Sequence, residues 1–224
     1  MQSKKRKTLV VALIVSLIAI LSLGSLAYFT AKDDVTNTIK FETEDNFKVE
    51  VFEHDWTKPN TDETSEGVTY TNIMPGQEFR KDPTVRNTGK HTEWVRVHVI
   101  LPDGMTWMNI MAANGYEKVE LSDFVKGYDK EKWSGGGNPV VGPAGLFSQE
   151  PIPLTWTFYL NEKLEPGAQE TLFTSVVIPP ELTNAQAASL GGQFEIKVEA
   201  EAVQAENMPA NVTTAQQAFA LIDG

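Results

Sequence analysis

The 224-residue chain contains no cysteine. That excludes disulfides, thiolate metal sites, a cysteine nucleophile and a lipidated N-terminal cysteine, so a fold formed outside the cell must hold by its core alone. Histidine is nearly as scarce: only His54, His91 and His98 are present. A hydrolytic zinc site needs histidines at helical spacing with a carboxylate, as in H-E-x-x-H, and no such pair exists here. Glu53-His54-Asp55 gathers ligand types but reads as a solvated strand end. There is no G-x-S-x-G elbow and no S-x-x-K. The run Ser134-Gly135-Gly136-Gly137 lacks the Lys-Ser/Thr ending of a phosphate loop and reads as a flexible tip. Asp33-Asp34 and Glu42-Thr43-Glu44-Asp45 lack the spacing and central glycine of a calcium loop and read as solvated charge. Asn211-Val212-Thr213 matches a glycosylation sequon. No catalytic residue, metal or cofactor is therefore expected, and the chain is predicted not to be an enzyme.

Positive charge is also in short supply, 19 Lys and Arg against 30 Asp and Glu. Four of the basic residues, Lys4, Lys5, Arg6 and Lys7, fall in the first 27, which hold no acid. The remainder thus has 15 basic against 30 acidic residues, a net charge of −15. Such a body repels nucleic acid and anionic lipid, and nucleic acid is excluded as a partner.

Long apolar runs are confined to one place. After the basic start, Thr8 to Leu23 is nearly all apolar, long enough to barely span a hydrocarbon core of about 30 Å. Ser25-Leu26-Ala27 then supplies small residues at the −3 and −1 positions that a signal peptidase requires. The expectation is a signal peptide over 1–27 cut between Ala27 and Tyr28, the alternative being a retained anchor. In either case the Lys/Arg cluster stays inside and the acidic body lies outside.

Beyond Tyr28 the apolar period is two. Phe47, Val49 and Val51 alternate with polar residues, as do Val95, Val97, Val99 and Leu101. So do Leu154, Trp156, Phe158 and Leu160, and the series Phe194, Ile196, Val198, Ala200 and Ala202. Turn signals punctuate them: Pro75-Gly76, Asn87-Thr88-Gly89, Pro102-Asp103-Gly104, Pro166-Gly167, Pro179-Pro180 and Gly191-Gly192. The pattern predicts an all-β chain, an antiparallel β-sandwich or jelly roll over 28–205. A loop-rich insertion over about 105–153 carries Trp107, Tyr116, Phe124, Tyr128 and Trp133. A C-terminal tail over 206–224 should hold a short helix with Ala215, Phe219 and Ile222 inward, capped by Thr213 or Thr214. Met74-Pro75-Gly76-Gln77-Glu78-Phe79 and Glu165-Pro166-Gly167-Ala168-Gln169-Glu170 echo one another. They read either as two halves of a sandwich that begin alike or as shared turn chemistry.

The run Gly24-Ser25-Leu26-Ala27-Tyr28-Phe29-Thr30, with Asp33, Asp34, Thr36 and Asn37-Thr38 after it, resembles the signal region of the TasA/camelysin family. These are exported proteins of Gram-positive bacteria. Pro75-Gly76-Gln77, Val85-Arg86-Asn87-Thr88-Gly89 and Val95-Arg96-Val97 match a further block of that family, so the resemblance covers roughly the first hundred residues. It implies processing by a SipW-type signal peptidase, a place at the cell surface or in the biofilm matrix, and no membrane contact beyond the uncleaved N-terminal segment. It also implies self-assembly into fibres, with the mature N-terminus donated as a strand to the next subunit. The donor candidates are Phe29, Ile39 and Phe41; the same segment could instead be the sandwich's own first strand. Two alternatives stand beside this. A monomeric adhesin or carbohydrate-binding module would use the insertion, with Trp107 and Trp133 as ligand-contact aromatics. A camelysin-type metallopeptidase would need a ligand set that the histidine count argues against. The C-terminus shows no sorting motif, so retention at the cell would rest on assembly or on a partner.

Overall fold

The computed structural model describes residues 30–34, 48–53, 61–64, 67–70, 74–142, 152–190 and 195–223. The signal segment and Phe29, Ile39, Phe41 and His54 lie outside these residues. Among the described residues no helix is long and apolar enough to cross a membrane.

The chain is all-β, built of antiparallel sheets with a few short helices. The largest sheet follows from the three longest alternating stretches. β7 (Glu93–Leu101) lies at its centre, between β14 (Lys197–Gln204) and β11 (Leu154–Leu160). β1 (Thr30–Asp34) closes one edge on β14, while β9 (Trp133–Gly135) and β10 (Val140–Val141) both lie along β11. Alternation puts Val95, Val97, Val99 and Leu101 of β7 on one face, each at 0% exposure. Register then matches large to small across the sheet: Val97 stands between Phe158 and Ala200, and Val99 between Trp156 and Val198. This is the cross-strand complementarity that stabilises a half-buried sheet.

Two three-stranded sheets complete the body. One is β12 (Gln169–Thr171), β6 (Pro83–Asn87) and β2 (Val49–Glu53); the other is β5 (Glu78–Arg80), β13 (Ser175–Val177) and β8 (Val125–Lys126). Val49, Val51, Val85, Leu172, Phe173 and Val176 join the inward side chains of β7, β11 and β14 in a single core. A separate hairpin pairs β3 (Thr61–Thr64) with β4 (Gly67–Tyr70).

The runs that the two Pro-Gly segments open pair with each other. From Gln77 opposite Ile178 to Asn87 opposite Ala168 the backbone hydrogen bonds keep one antiparallel register, through β5 on β13 and then β6 on β12. The ladder bends where Asp82 and Phe173 are buried, which divides it between the two sheets. Gly76 and Gly167, at φ +79° and +80°, open its two ends with the left-handed residue that a Pro-Gly turn requires.

Of the region 105–153, the described residues 105–142 are more regular than their sequence suggests. It begins as α1 (Gly104–Ala113), which buries Trp107, Ile110 and Met111, three positions at helical spacing. A 3₁₀ turn (Leu121–Asp123) and the three short strands β8, β9 and β10 follow. The helix α2 (Asn184–Ser189) opens on a capping box in which Thr183 accepts from the Gln186 amide at 3.3 Å. At the C-terminus, α3 (Ala215–Asp223) forms where the sequence places a helix, with Thr214 accepting the Gln217 amide at 3.3 Å. Ala215 and Phe219 are buried as expected. Ile222 is exposed instead, and Ala218 takes the third inward position. The helix covers Trp94 and Val203 on the outer face of the large sheet, forming a second, smaller core.

Candidate functional site

Three places could carry function: the β1–β14 edge, the aromatic region after β7, and the histidines and acids of the outer face. At the edge, β14 is a long buried strand and β1 is its last partner. Five residue pairs join them, from Thr30 opposite Val203 to Asp34 opposite Glu199. By register, Ala31 stands opposite Ala202 and Asp33 opposite Ala200, two buried residues of β14. β1 thus completes the backbone ladder of β14 at this edge of the sheet. Lys32 and Asp34 stand opposite Glu201 and Glu199 in the ladder.

The outer face beside this edge is a polar network anchored by Arg96. Its Nε donates to Glu201 Oε2 at 2.5 Å and its Nη2 to Asp223 Oδ1 at 3.0 Å, with the guanidinium 4.3 Å over the Phe219 ring. Burial works against the Arg96 charge, but the bonds to Asp223 and Glu201 outweigh it and hold the group above its ordinary value. Arg96 thus ties α3 to both β7 and β14. Glu201 is only 6% exposed, and removing the guanidinium would strip its charged partner. Arg96→Ala is expected to cost about 3 kcal/mol. Asp223→Asn, at an exposed partner, should cost under about 1 kcal/mol. Urea unfolding of the two variants checks the difference.

His98 lies on the outer face as the alternation predicts, Nδ1 3.0 Å from Thr157 Oγ1 and Nε2 3.9 Å from Glu201 Oε2. His91, in the turn before β7, faces Glu206 at 3.1 Å. The two histidines have different partners and do not converge. Among the described residues no three His, Asp or Glu side chains form a group that could hold a metal ion.

The aromatic region holds Trp107 and Trp133 in the core, at 2% and 1% exposure. Trp107 packs edge-to-face on Phe124 with ring centroids 5.1 Å apart. Trp133 Nε1 donates to the Thr171 carbonyl at 3.0 Å, and the Trp133 carbonyl accepts the Tyr128 hydroxyl at 2.5 Å. Neither indole presents a face to solvent, so stacking on a sugar would require leaving the core. The glycine run after Trp133 is also not a flexible tip, which corrects the sequence reading. Gly135 belongs to β9, and a Cβ there would lie 2.4 Å from the Thr157 carbonyl oxygen; at Gly136 it would meet the Phe158 ring at 2.1 Å. Both have positive φ. They are glycines because β9 crosses β11 too closely for a side chain.

Sequence reasoning missed two residues that organise one end of the molecule. Asn87, at 0% exposure, donates from Nδ2 to the carbonyls of His91 (2.8 Å) and Leu164 (2.9 Å) and accepts the Gly89 amide at 2.8 Å. The Asn-Thr-Gly signal was visible as a turn; its role as a bridge to the β11–β12 connection was not. Glu93 sits beside the Leu164 bridge, also at 0% exposure.

Compared with protein-family models, with curated proteins and with solved structures, the chain matches none.

Proposed function

We propose that this is an exported structural protein of the Gram-positive cell surface or biofilm matrix, a β-sandwich of jelly-roll type that assembles with copies of itself. In this reading a SipW-type peptidase removes residues 1–27, and the new N-terminus at Tyr28 pairs with β14 of a neighbouring subunit in place of that subunit's own β1. The resemblance to the TasA/camelysin family motivates the reading. The observation that carries it is the position of β1: an outermost strand joined to β14 alone in its sheet. An edge strand can be exchanged for an identical strand of a neighbour that remakes the same ladder, at little net cost. Head-to-tail exchange whose rotation does not close into a ring produces filaments.

Light scattering tests this on the form beginning at Tyr28, with and without residues 28–35. Growth of the longer form and a constant monomer mass for the shorter one are expected. If both stay monomeric and equally stable, the assembly reading falls and the adhesin reading takes its place.

A further inference from the structure

Glu93, the first residue of β7, buries its carboxyl group where the large sheet meets β2. Its backbone exchanges two hydrogen bonds with Leu164, at 3.0 and 2.8 Å, and it stands opposite Gln204 of β14. The side chain makes one polar contact among the described residues: Oε1 accepts the backbone N–H of Lys48, immediately before β2, at 3.2 Å. Oε2 is buried with no hydrogen-bond partner among the described residues. A carboxylate with one oxygen unsatisfied in such a place costs free energy that a neutral acid largely avoids.

We propose that Glu93 is a pH-responsive pin between the large sheet and the start of β2, seated when its carboxyl is protonated and released by local opening at Lys48 when it ionises.

Burial is the dominant force on its titration, raising it to about 7 against the smaller downward pull of the Lys48 N–H. Among the described residues, the charged side chains on surrounding elements are exposed or engage other partners. Lys48 and Lys90 are exposed, His91 faces Glu206, Arg86 holds Gln169 at 2.9 Å, Glu165 accepts the Thr92 hydroxyl at 2.7 Å, and Lys163 lies 5.3 Å from the centre of the Trp94 ring. Glu50 and Glu162 enter no such pair with Glu93. Because the folded value lies above that of a hydrated carboxyl, the pin's contribution is complete below about pH 4.5. It is lost progressively as the pH rises through about 7. Lys48 lies immediately before β2, so the pin sets how firmly the start of β2 is held against the large sheet. This inference does not depend on self-association.

Amide hydrogen exchange at Lys48, corrected for its intrinsic pH dependence, tests it on the full chain in mild detergent. Between pH 5 and pH 7.5 the opening equilibrium should rise at least about tenfold more in the wild type than in Glu93→Gln. Exposed carboxylates such as Glu78, held low by Lys126 and Ser175, act with the opposite sign but equally in both proteins. Equal pH dependence in the two proteins would overturn the proposal. Should Glu93→Gln not fold, the side-chain carboxyl carbon of Glu93 is followed by NMR in the wild type: a midpoint near 7 supports the pin, and one near 4.5 overturns it.

Discussion

Replacing Trp133 with alanine is expected to lower the unfolding free energy by about 3–5 kcal/mol, the range for emptying a buried aromatic site. The indole is 1% exposed, and two of its links would be affected by different amounts. The Nε1 bond to Thr171 ties β9 to β12 across the core and disappears in the variant. The Tyr128 hydroxyl bond goes to the Trp133 carbonyl and survives the substitution in principle. Trp133→Phe keeps most of the ring volume and loses the donor, so a cost of about 1–2 kcal/mol is expected. Urea unfolding with a shifted midpoint and an unchanged slope checks both values. The same pair of variants separates two roles for this residue. A ligand-contact tryptophan would lose binding at nearly constant stability. A core tryptophan loses stability first.

Asn87→Ala should cost about 3 kcal/mol, because one side chain satisfies three backbone groups and sits at 0% exposure. Asn87→Asp is the sharper experiment. A carboxylate can still accept from Gly89 but cannot donate to the carbonyls of His91 and Leu164, and it places charge against both oxygens. The aspartate variant should therefore be no more stable than alanine at pH 7 and should recover part of the loss as the pH falls and the acid protonates. Thermal unfolding at pH 5 and pH 7 reads this. An aspartate variant as stable as wild type at pH 7 would show that the two carbonyl bonds contribute little.

The parts of the fold that were legible in the sequence are those where one face is buried and the other wet. β7, β11 and the core of β14 alternate cleanly because Arg96, His98, Thr155, Thr157 and Glu199 face outward between apolar neighbours. β6 has four of its five residues buried, including Thr84 and Asn87, so its period is erased and only its turn was visible. α1 was hidden by the expectation of a loop, although Trp107, Ile110 and Met111 already had helical spacing. The glycines at 135 and 136 look the same in a sequence whether they serve flexibility or close approach; only the position of β11 decides. Glu93 was the least legible of all. A charged residue at the head of a strand reads as solvated, and its burial depends on Lys48 and Leu164, 45 and 71 positions away in the chain.

The absence of cysteine makes the central claim open to a direct measurement. Ala31 of β1 stands opposite Ala202 of β14 in the antiparallel ladder, where Cα atoms about 4.5–5.5 Å apart suit a disulfide. The double variant Ala31→Cys/Ala202→Cys, in the form beginning at Tyr28, is oxidised after assembly and run on a denaturing gel. Donation of β1 to a neighbour predicts a ladder of covalent dimers, trimers and longer species. A single cross-linked monomer band from assembled material would mean that β1 stays on its own β14, and would contradict the account.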